Sequence, residues 1–411
     1  MKENNVVSAS AKYACSVCGA CVAVCPKKAI QLRLDDAGFY SACVDDELCV
    51  NCGLCKQVCT RYQESIEGVN LQDAPLYAMQ SSNGETVKRC SSGGIAHELS
   101  EMLIRDGWKI LGAVYNRSTD RCEHTIADSV EALAALDGSK YIQSDPQQAF
   151  RQAVDIAKQD NNARFAVFGT PCQIAGLANV TGQNHIRDQF LLVEIFCHGV
   201  PSYKLWDEQC RRIRKKLKAE KFDDVQFRYK KNDWHSYCLK VDAGGKTFYG
   251  SRENTLFYQV FFENVLLGDS CYNCRLRKEV SMADIRLGDY WGSTFQHRSD
   301  GVSAVFACTT RGEEAIARLG DKVCKLEATD ATTMLSAQNM KGYHQQELHD
   351  KAMAVLREQG ILPAIKTYRA GQTGKQKLKR VLLNVSSLIP DGLRAKLRKA
   401  NSSRQLRNSE K

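Results

Sequence analysis

The sequence lacks any run of eighteen or more apolar residues, which argues against a transmembrane helix. Its first residues, MKENNVVSASAKYACSVC, lack the apolar segment of a secretory leader. An excess of charge is also missing from most of the chain, because residues 369–411 hold twelve basic and two acidic residues and the remainder holds 45 of each sign. These absences predict a cytoplasmic protein and give no support to a nucleic-acid-binding core.

Cysteine, in contrast, is abundant, with nineteen residues in a chain of 411. Disulfides do not persist in a reducing cytoplasm, so clustered cysteines there indicate metal ligation or redox chemistry. The chain is also too long for one compact core, which predicts two or three domains.

Residues 1–62 are rich in cysteine and contain an internal repeat. Each copy has the spacing C-x2-C-x2-C-x3-C, given by Cys15, Cys18, Cys21 and Cys25 and again by Cys49, Cys52, Cys55 and Cys59. In two-cluster ferredoxins the first three cysteines of a run bind one 4Fe-4S cube and the fourth binds the other. The spacing therefore predicts a two-cluster ferredoxin domain with one cluster on Cys15, Cys18, Cys21 and Cys59 and a second on Cys49, Cys52, Cys55 and Cys25.

Two other interpretations of these cysteines are less favourable. A disulfide framework or a pair of zinc knuckles predicts paired C-x2-C units instead of four cysteines in each run. The second run departs from the ferredoxin pattern at Thr60, where a proline usually follows the last cysteine, as Pro26 does in the first run. Since that proline shapes only the backbone exit, we expect the second cluster to be retained.

The rest of the chain divides into a polar linker at 63–74, a body at 75–362 and a tail at 363–411. In the body, short apolar runs alternate with amphipathic segments, a pattern that favours an α/β fold with a mainly parallel sheet. Strands are predicted at 110–115, 164–168, 190–196 and 303–308, and helices at 95–105, 146–158, 172–178 and 203–218. A segment at 221–262 is predicted to be β-rich, with Gly244-Gly245 as a hairpin turn.

Two cysteines of the body directly follow predicted strands, Cys172 after 164–168 and Cys197 after 190–196. Ligands bind at the carboxyl ends of parallel strands, so both thiols are expected to face one crevice. Cys271 and Cys274 would complete a third four-thiolate site. Two alternatives remain: Cys172 and Cys197 are only small buried residues, and Cys271 with Cys274 forms a zinc half-site or a redox dithiol. The other seven cysteines are scattered, and most are expected to be structural.

Six short motifs occur between residues 91 and 292: SSGG (91–94), GSKY (138–141), GTPCQ (169–173), CHGVPS (197–202), CYNC (271–274) and DIRLGDYWG (284–292). As a set they resemble the beta subunit of coenzyme F420 hydrogenase/dehydrogenase, over roughly residues 10–330. The resemblance implies a flavoprotein whose FAD lies near an iron–sulfur cluster and exchanges electrons with a soluble substrate, and it favours the third cluster. The family includes reductases that do not use F420, and its bacterial members often accompany polysaccharide-synthesis proteins, so the resemblance fixes the cofactor better than the substrate.

The flavin contacts that the resemblance implies come from three of these motifs: Ser91, Ser92, Gly93, Gly94, Lys140, Tyr141, Gly169, Thr170 and Gln173. The two glycines at 93–94 would let a phosphate approach a helix start, although a serine N-cap with permissive glycines explains the same pattern. Lys140 would neutralise a reduced flavin or a phosphate, and Tyr141 would stack on its ring, unless the pair is ordinary surface. His198 is a candidate proton donor or hydrogen-bond partner of a cluster sulfur, or only caps the turn, and it is with Lys140 a candidate catalytic residue.

The tail carries a basic amphipathic segment at 375–389. Its apolar side chains stand at helical spacing, with basic neighbours and a terminating proline: Leu378, Val381, Leu382, Val385, Leu388 and Ile389, then Lys375, Lys379, Arg380 and Pro390. A second basic piece follows at 393–399. Packing of the apolar face on the body is the first interpretation, and peripheral contact with the inner face of a membrane is the second.

Together these features predict a cytoplasmic flavin and iron–sulfur oxidoreductase with twelve ligand cysteines and one FAD. Its fold class is a ferredoxin-like α+β module followed by an α/β flavin-binding body. Electrons would pass between a ferredoxin or another redox partner protein, or reduced coenzyme F420, and a small organic acceptor, in either direction. The alternative functions are a non-catalytic electron-relay subunit and, more remotely, a zinc protein whose tail binds RNA.

Overall fold

A computed structural model describes residues 3–8, 10–231, 233–338, 343, 345–386, 389 and 393. The strands of this part of the chain are β1 Ile30–Leu34, β2 Tyr40–Val44, β3 Val69–Asn70, β4 Leu76–Ser81, β5 Lys109–Asn116, β6 Arg121–Ala127, β7 Ser144–Asp145, β8 Phe165–Gly169, β9 Phe190–Ile195, β10 Asp224–Gln226, β11 Leu239–Ala243, β12 Lys246–Gly250, β13 Val280–Ser281, β14 Ile285–Asp289, β15 Ser303–Ala307 and β16 Val323–Leu326.

The helices are α1 Ala20–Val24, α2 Leu54–Gln57, α3 Gly84–Arg89, α4 Ile95–Arg105, α5 Leu133–Leu136, α6 Gln147–Gln159, α7 Pro171–Gln183, α8 Tyr203–Leu217, α9 Leu256–Glu263, α10 Asp269–Tyr272, α11 Thr310–Ala317, α12 Ala331–Ser336, α13 Gln346–Gln359, α14 Ile361–Ala370 and α15 Gly374–Ser386. Short 3-10 turns lie at Arg187–Gln189 and Gly320–Lys322.

Nine strands form one sheet in the order β16-β4-β15-β14-β9-β8-β5-β6-β7. The central strands β14, β9, β8 and β5 are parallel, whereas β5–β6, β14–β15, β15–β4 and β16–β4 are antiparallel. The prediction of a mainly parallel sheet is therefore wrong for the whole sheet; it holds for the centre and for the short β6–β7 pair at one edge. The turn at 117–120 is one reason, because so short a connection can join only antiparallel strands.

The central strands are apolar on both faces because helices cover both sides of the sheet. In β8, Phe165 and Val167 pack with α6 and α7, while Ala166 packs on the opposite face with α4. This double coverage is why these strands are continuous apolar runs rather than alternating ones. It leaves their carboxyl ends as the place where loops and polar side chains converge.

The cysteine-rich module packs directly on the body and shares its hydrophobic core with α6 and α7. Polar contacts fix the orientation: Arg151 donates to the carbonyl of Val22 at 3.1 Å, and Arg275 donates to the carbonyl of Gln63 at 2.9 Å. The backbone N–H of Leu32 donates to the Gln147 side chain at 3.1 Å. The module is therefore held in one position against the sheet that carries the other cysteines.

Most predicted elements coincide with observed ones. The helices predicted at 95–105, 146–158 and 203–218 match α4, α6 and α8 within one residue, and the one at 172–178 continues to the end of α7. Strands β10, β11 and β12 form an antiparallel sheet whose Gly244-Gly245 turn has both φ angles positive, which confirms the hairpin. The β-rich prediction is wrong at its end, where α9 forms. The linker at 63–74 contains β3, which pairs with β13.

The tail helix is confirmed as α15, but its apolar side chains do not pack on the body. Leu378, Val381, Leu382 and Val385 are each more than half exposed, so the first interpretation of this helix is wrong. Leu388, Pro390 and most of the second basic piece lie outside the described residues. In the described ranges no helix is both long and apolar enough to cross a membrane.

Candidate functional site

The structure brings the eight amino-terminal cysteines together in the two predicted sets. Cys15, Cys18, Cys21 and Cys59 line one small cavity, and Cys25, Cys49, Cys52 and Cys55 line another. The fourth cysteine of each run has therefore crossed to the other set, as the two-cluster ferredoxin pattern requires.

The backbone of the two runs repeats the same unusual conformation. In the first run Val17 and Gly19 have φ of 54° and 79°, and in the second Asn51 and Gly53 have φ of 57° and 80°. A branched residue such as Val17 rarely adopts a left-handed backbone, so its surroundings must impose it. These paired reversals on either side of the second cysteine turn successive thiols toward one point.

The sulfurs of the first set are deeply buried. Burial raises the pKa of Cys18 to about 11 and that of Cys59 to about 12, and the neighbouring Cys15 adds to both shifts. Free thiols in this position keep their protons. They become thiolates together only when a bound cation displaces those protons, which is the chemistry of an iron–sulfur cluster.

The four predicted ligands in the body form a third set. Burial together with Cys274 raises the pKa of Cys197 to about 11, and burial with Cys197 and Cys274 raises that of Cys271 to about 12. Burial, Cys197 and Cys271 raise the pKa of Cys172 well above its usual value. Each thiol thus lies close enough to another for their charges to interact, and Cys172, Cys197 and Cys271 line one cavity.

Local features of the third set partly oppose this effect of burial and would stabilise a metal-bound sulfur. Cys172 is the second residue of α7, where the helix N-terminus stabilises a thiolate. A capping box between Thr170 and Gln173 and Pro171 at the first helical position fix this start. The Arg277 backbone N–H donates to Cys274 Sγ at 3.2 Å, a contact that stabilises a metal-bound sulfur.

Helix α7 also joins the third set to the first. A Cβ placed on Gly176, one turn after Cys172, would lie 2.7 Å from Cys18 Sγ and 3.0 Å from the Cβ of Ala20. Only glycine permits this approach, because any side chain would push the module away. The first and third sulfur sets therefore contact the same helix at positions one turn apart.

A separate observation concerns single metal ions. Among the described residues, no three His, Cys, Asp or Glu side chains converge on a point as one bound ion requires. The four thiolates of a 4Fe-4S cube bind different irons at different corners and therefore stand farther apart than ligands of one ion.

A cavity of about 320 Å³ opens at the carboxyl ends of the parallel strands. It gathers three of the four cysteines of the third sulfur set, the start of α4 and nearly all of the residues implied as flavin contacts; those on its wall are Ser91, Ser92, Gly94, Lys140, Tyr141, Gly169, Thr170 and Gln173. His198 lines the same space. Gly93 does not, because it packs against the sheet, where an added Cβ would lie 2.4 Å from the carbonyl oxygen of Met79.

The start of α4 fits an anionic group. Its N-cap residue is Gly94, with φ of 87° and no side chain capping the first turn, so the serine N-cap interpretation is wrong. Gly94, Ile95 and Ala96 all border the cavity. A helix of eleven residues whose uncapped N-terminus faces a cavity is a suitable position for a phosphate group. The Ser91 hydroxyl is already bound to the Ser139 backbone N–H at 2.8 Å.

Lys140 lies in the wall with its ammonium group engaged by the protein. It donates to the carbonyl oxygens of Ala135, Leu136 and Asp137 at 3.1, 2.9 and 3.0 Å and so caps the end of α5. These bonds use its three donors. Burial lowers the pKa of Lys140 to about 8. Lys140 would therefore act on a cavity ligand through its charge and not through a direct hydrogen bond.

Tyr141 belongs to a buried network that the sequence did not reveal. Arg228, 5% exposed, donates to the Tyr141 hydroxyl and to Asp289 Oδ2, both at 3.0 Å. The guanidinium also lies 4.5 Å from the ring centre of Tyr237. Burial raises the pKa of Tyr141, so its hydroxyl stays protonated. No motif contains Arg228, which is why sequence reasoning missed it.

Two buried arginines beside the third sulfur set were also missed. The charges of Arg277 and Arg286 oppose the rise in the pKa of Cys197 that burial causes. Arg277 donates to the carbonyl of His198 at 2.6 Å, and Arg286 pairs with Glu194 at 2.9 Å. Such charges offset part of the negative charge of a four-thiolate site. The sequence feature that could have indicated Arg277 is its position three residues after Cys274.

His198 faces the cavity, but its ring is held by Asn264, whose Oδ1 lies 2.5 Å from Nε2. Burial lowers the pKa of His198 to about 4, so the ring is neutral near pH 7. A neutral imidazole can donate or accept one proton but carries no charge with which to hold an anion.

A second buried histidine makes stability depend on pH. Burial lowers the pKa of His124 from 6.5 to about 4, while Nε2 lies 3.2 Å from the carbonyl oxygen of Phe168. Between these pH values the unfolded chain binds a proton that the folded chain does not, so stability falls as pH falls. Protonation of this residue alone should lower the free energy of unfolding by up to about 3 kcal/mol by pH 4.

The variant His124→Gln should therefore lose less thermal stability than the wild type when the pH is lowered from about 7.5 to about 5. Equal losses of thermal stability in the two proteins would contradict this.

Comparison with known protein families gives one match to the amino-terminal module and one match to part of the body. Residues 14–61 match the model of the 4Fe-4S dicluster domain. Residues 162–332 match the model for the C terminus of the beta subunit of coenzyme F420 hydrogenase/dehydrogenase. The second match includes Cys172, Cys197, Cys271 and Cys274.

Individual relatives are distant. The F subunit of the F(420)H(2) dehydrogenase of Methanosarcina mazei is 27% identical over 44% of this chain and 53% of its own length. The chain thus spans about half the length of that relative. An uncharacterised protein of Methanocaldococcus jannaschii is 26% identical over 55% of this chain and 68% of its own length.

Among solved structures, a chain of the F420-reducing NiFe hydrogenase complex from Methanosarcina barkeri aligns with a TM-score of 0.44 and 16% identity. The alignment covers 74% of this chain and 93% of that chain, and at this distance it supports no argument about the site. The two family matches agree with the motifs and the sulfur sets described above. By these matches the chain is similar to coenzyme F420 hydrogenase/dehydrogenase beta subunits over residues 162–332 and to a 4Fe-4S dicluster domain over residues 14–61.

Proposed function

We propose that this protein is an iron–sulfur flavoprotein oxidoreductase that passes electrons between two amino-terminal 4Fe-4S clusters, a third cluster and FAD. A soluble organic substrate, coenzyme F420 or another small molecule, would be the final acceptor or the first donor. The observation that carries the proposal is that three of the four body thiols line the same cavity as the uncapped start of α4.

The positions of the sulfur sets support a relay. The first and second sets share one compact module, and the first set reaches α7 at Gly176. Cys172 stands one turn earlier on that helix and borders the cavity. These positions favour electron transfer in the order second set, first set, third set and cavity.

The cavity wall supports FAD as its occupant. The start of α4 would hold the pyrophosphate, with Lys140 adding positive charge nearby. Tyr141 and Asp289, which line the cavity, would face the ring, and Arg228 behind them keeps the Tyr141 hydroxyl oriented. FAD, when bound, supplies the exchange between one-electron carriers and a two-electron substrate.

The remaining contributions come from the chain itself. The sheet and α7 position Cys172 and Cys197 of the third sulfur set, and Arg277 donates to the His198 carbonyl beside it. The neutral ring of His198, on the cavity wall next to Cys197, would be one group suited to moving a proton. A ferredoxin or a partner protein would exchange electrons at the second set, since Cys52 is exposed there.

Cofactor content tests the proposal. Anaerobically purified protein should contain about twelve iron and about twelve acid-labile sulfide per chain, together with about one FAD released on denaturation. Iron and sulfide assays and the spectrum of the released flavin measure this. About eight iron without flavin would indicate an electron relay without its own catalysis, and zinc in place of iron would reject both.

A further inference from the structure

We propose that α15 docks this protein on an anionic lipid surface, lying in the plane of the interface. The inference goes beyond the redox function and does not depend on it, because it rests on a helix outside the cavity and the sulfur sets.

The helix exposes a continuous apolar stripe. Leu378, Val381, Leu382 and Val385 follow the i, i+3, i+4, i+7 spacing of one helix face, and they are 59, 52, 60 and 56% exposed. These four account for a third of the large apolar residues that the described part of the chain exposes. A helix that needed this face for packing would bury it.

The helix is attached to the body by its opposite side. Arg380 donates to the buried Gln372 at 2.6 Å, and its positive charge acts on Glu263 of α9. Gln376, Arg380 and Leu383 are partly buried. These residues lie about half a turn away from Leu378 on the helix surface. The apolar stripe therefore points away from the protein, where an interface can reach it.

The charges around the stripe select a negatively charged occupant. Helical spacing places Lys375 and Lys379 along one edge of the stripe and Lys377 along the other, and α15 has no acidic residue. Lysines at both edges can keep their ammonium groups among lipid headgroups while the stripe enters the acyl region. A second copy of the chain would bring the same positive charges to the contact, which disfavours a dimer through this face.

Vesicle sedimentation with the full-length holoprotein tests the proposal. The protein should bind vesicles of phosphatidylcholine mixed with phosphatidylglycerol, and it should bind vesicles of phosphatidylcholine alone much more weakly. The double variant Lys375→Glu and Lys379→Glu should lower the partition coefficient by at least about thirtyfold, since each basic residue near an anionic surface contributes about fivefold. Leu382→Asp should lower it by roughly tenfold or more through lost burial.

A matched control is Leu34→Asp, which places the same charge at a 39% exposed apolar residue of the amino-terminal hairpin and should leave binding unchanged. Unchanged iron and flavin content shows that each variant is folded. Equal binding to both kinds of vesicle, or binding that Leu382→Asp does not weaken, would overturn the proposal. Absence of vesicle binding with a dimer that Leu382→Asp dissociates would overturn it in favour of a second copy.

Discussion

Replacing Cys172 with alanine is expected to remove about four of about twelve irons per chain and to leave the two amino-terminal clusters in place. Electron flow from those clusters to the cavity should then fall to background. The effect is large because Cys172 combines three features: it borders the cavity, it interacts with Cys197 and Cys271, and it begins the helix that reaches the first sulfur set.

The amino-terminal pair should survive because none of its ligands comes from the body. Cys18 touches α7 through Gly176, four residues beyond the substitution. The Cys172 thiol lies 3.2 Å from the Thr170 hydroxyl, but the capping-box bond from the Thr170 backbone N–H to Gln173 Oε1 at 3.0 Å does not use it. The helix start therefore remains. Iron and sulfide assays together with paramagnetic resonance of the dithionite-reduced protein measure the clusters, and the rate of flavin reduction measures the flow.

Cys122→Ala is the matched control. Cys122 is fully buried in β6, and the sequence predicts a structural role for it. Its loss should lower the free energy of unfolding by about 1 kcal/mol and leave iron, sulfide and electron flow unchanged. A Cys172→Ala protein that keeps all its iron, or a Cys122→Ala protein that loses four, would contradict the assignment of the third set.

The amino-terminal ligands could be predicted from sequence because cluster ligation there is local. Short steps between cysteines decide which thiols face one point, and the same steps recur in both runs. The third set needed tertiary reasoning: the rule that sites form at strand ends located Cys172 and Cys197, since β8 and β9 are indeed parallel neighbours. Cys271 and Cys274 joined them because two further thiols were needed.

The sequence could not reveal contacts between side chains that lie far apart along the chain. Arg228 meets Asp289 from 61 residues away, and nothing local marks either as half of a pair. Lys140 lines the cavity, but its donors are taken by carbonyls of the preceding turn, which only the folded backbone decides. The mixed sheet was missed because apolar runs reveal burial on both faces but not strand direction.

Placing a methyl group on Gly176 is expected to interrupt the relay without replacing a proposed ligand. The new Cβ would lie 2.7 Å from Cys18 Sγ and 3.0 Å from the Cβ of Ala20. In the proposed holoprotein that sulfur would be fixed on iron and could not rotate away. Gly176→Ala should therefore displace the amino-terminal module from α7, lower the free energy of unfolding by about 1–3 kcal/mol and slow reduction of the flavin by the amino-terminal clusters.

The same helix offers a control of identical chemistry. Gly182 lies exposed near the end of α7, and an added Cβ there meets no atom within 4 Å. Gly182→Ala should stabilise the protein by up to about 1 kcal/mol, since alanine is the better helix former. Stopped-flow reduction of the flavin separates the two variants. If both transfer electrons at the wild-type rate with all clusters present, the first set does not reach the cavity through this turn. If the two variants contain equal iron and flavin and only Gly176→Ala reduces its flavin more slowly, the path runs between Cys18 and Cys172.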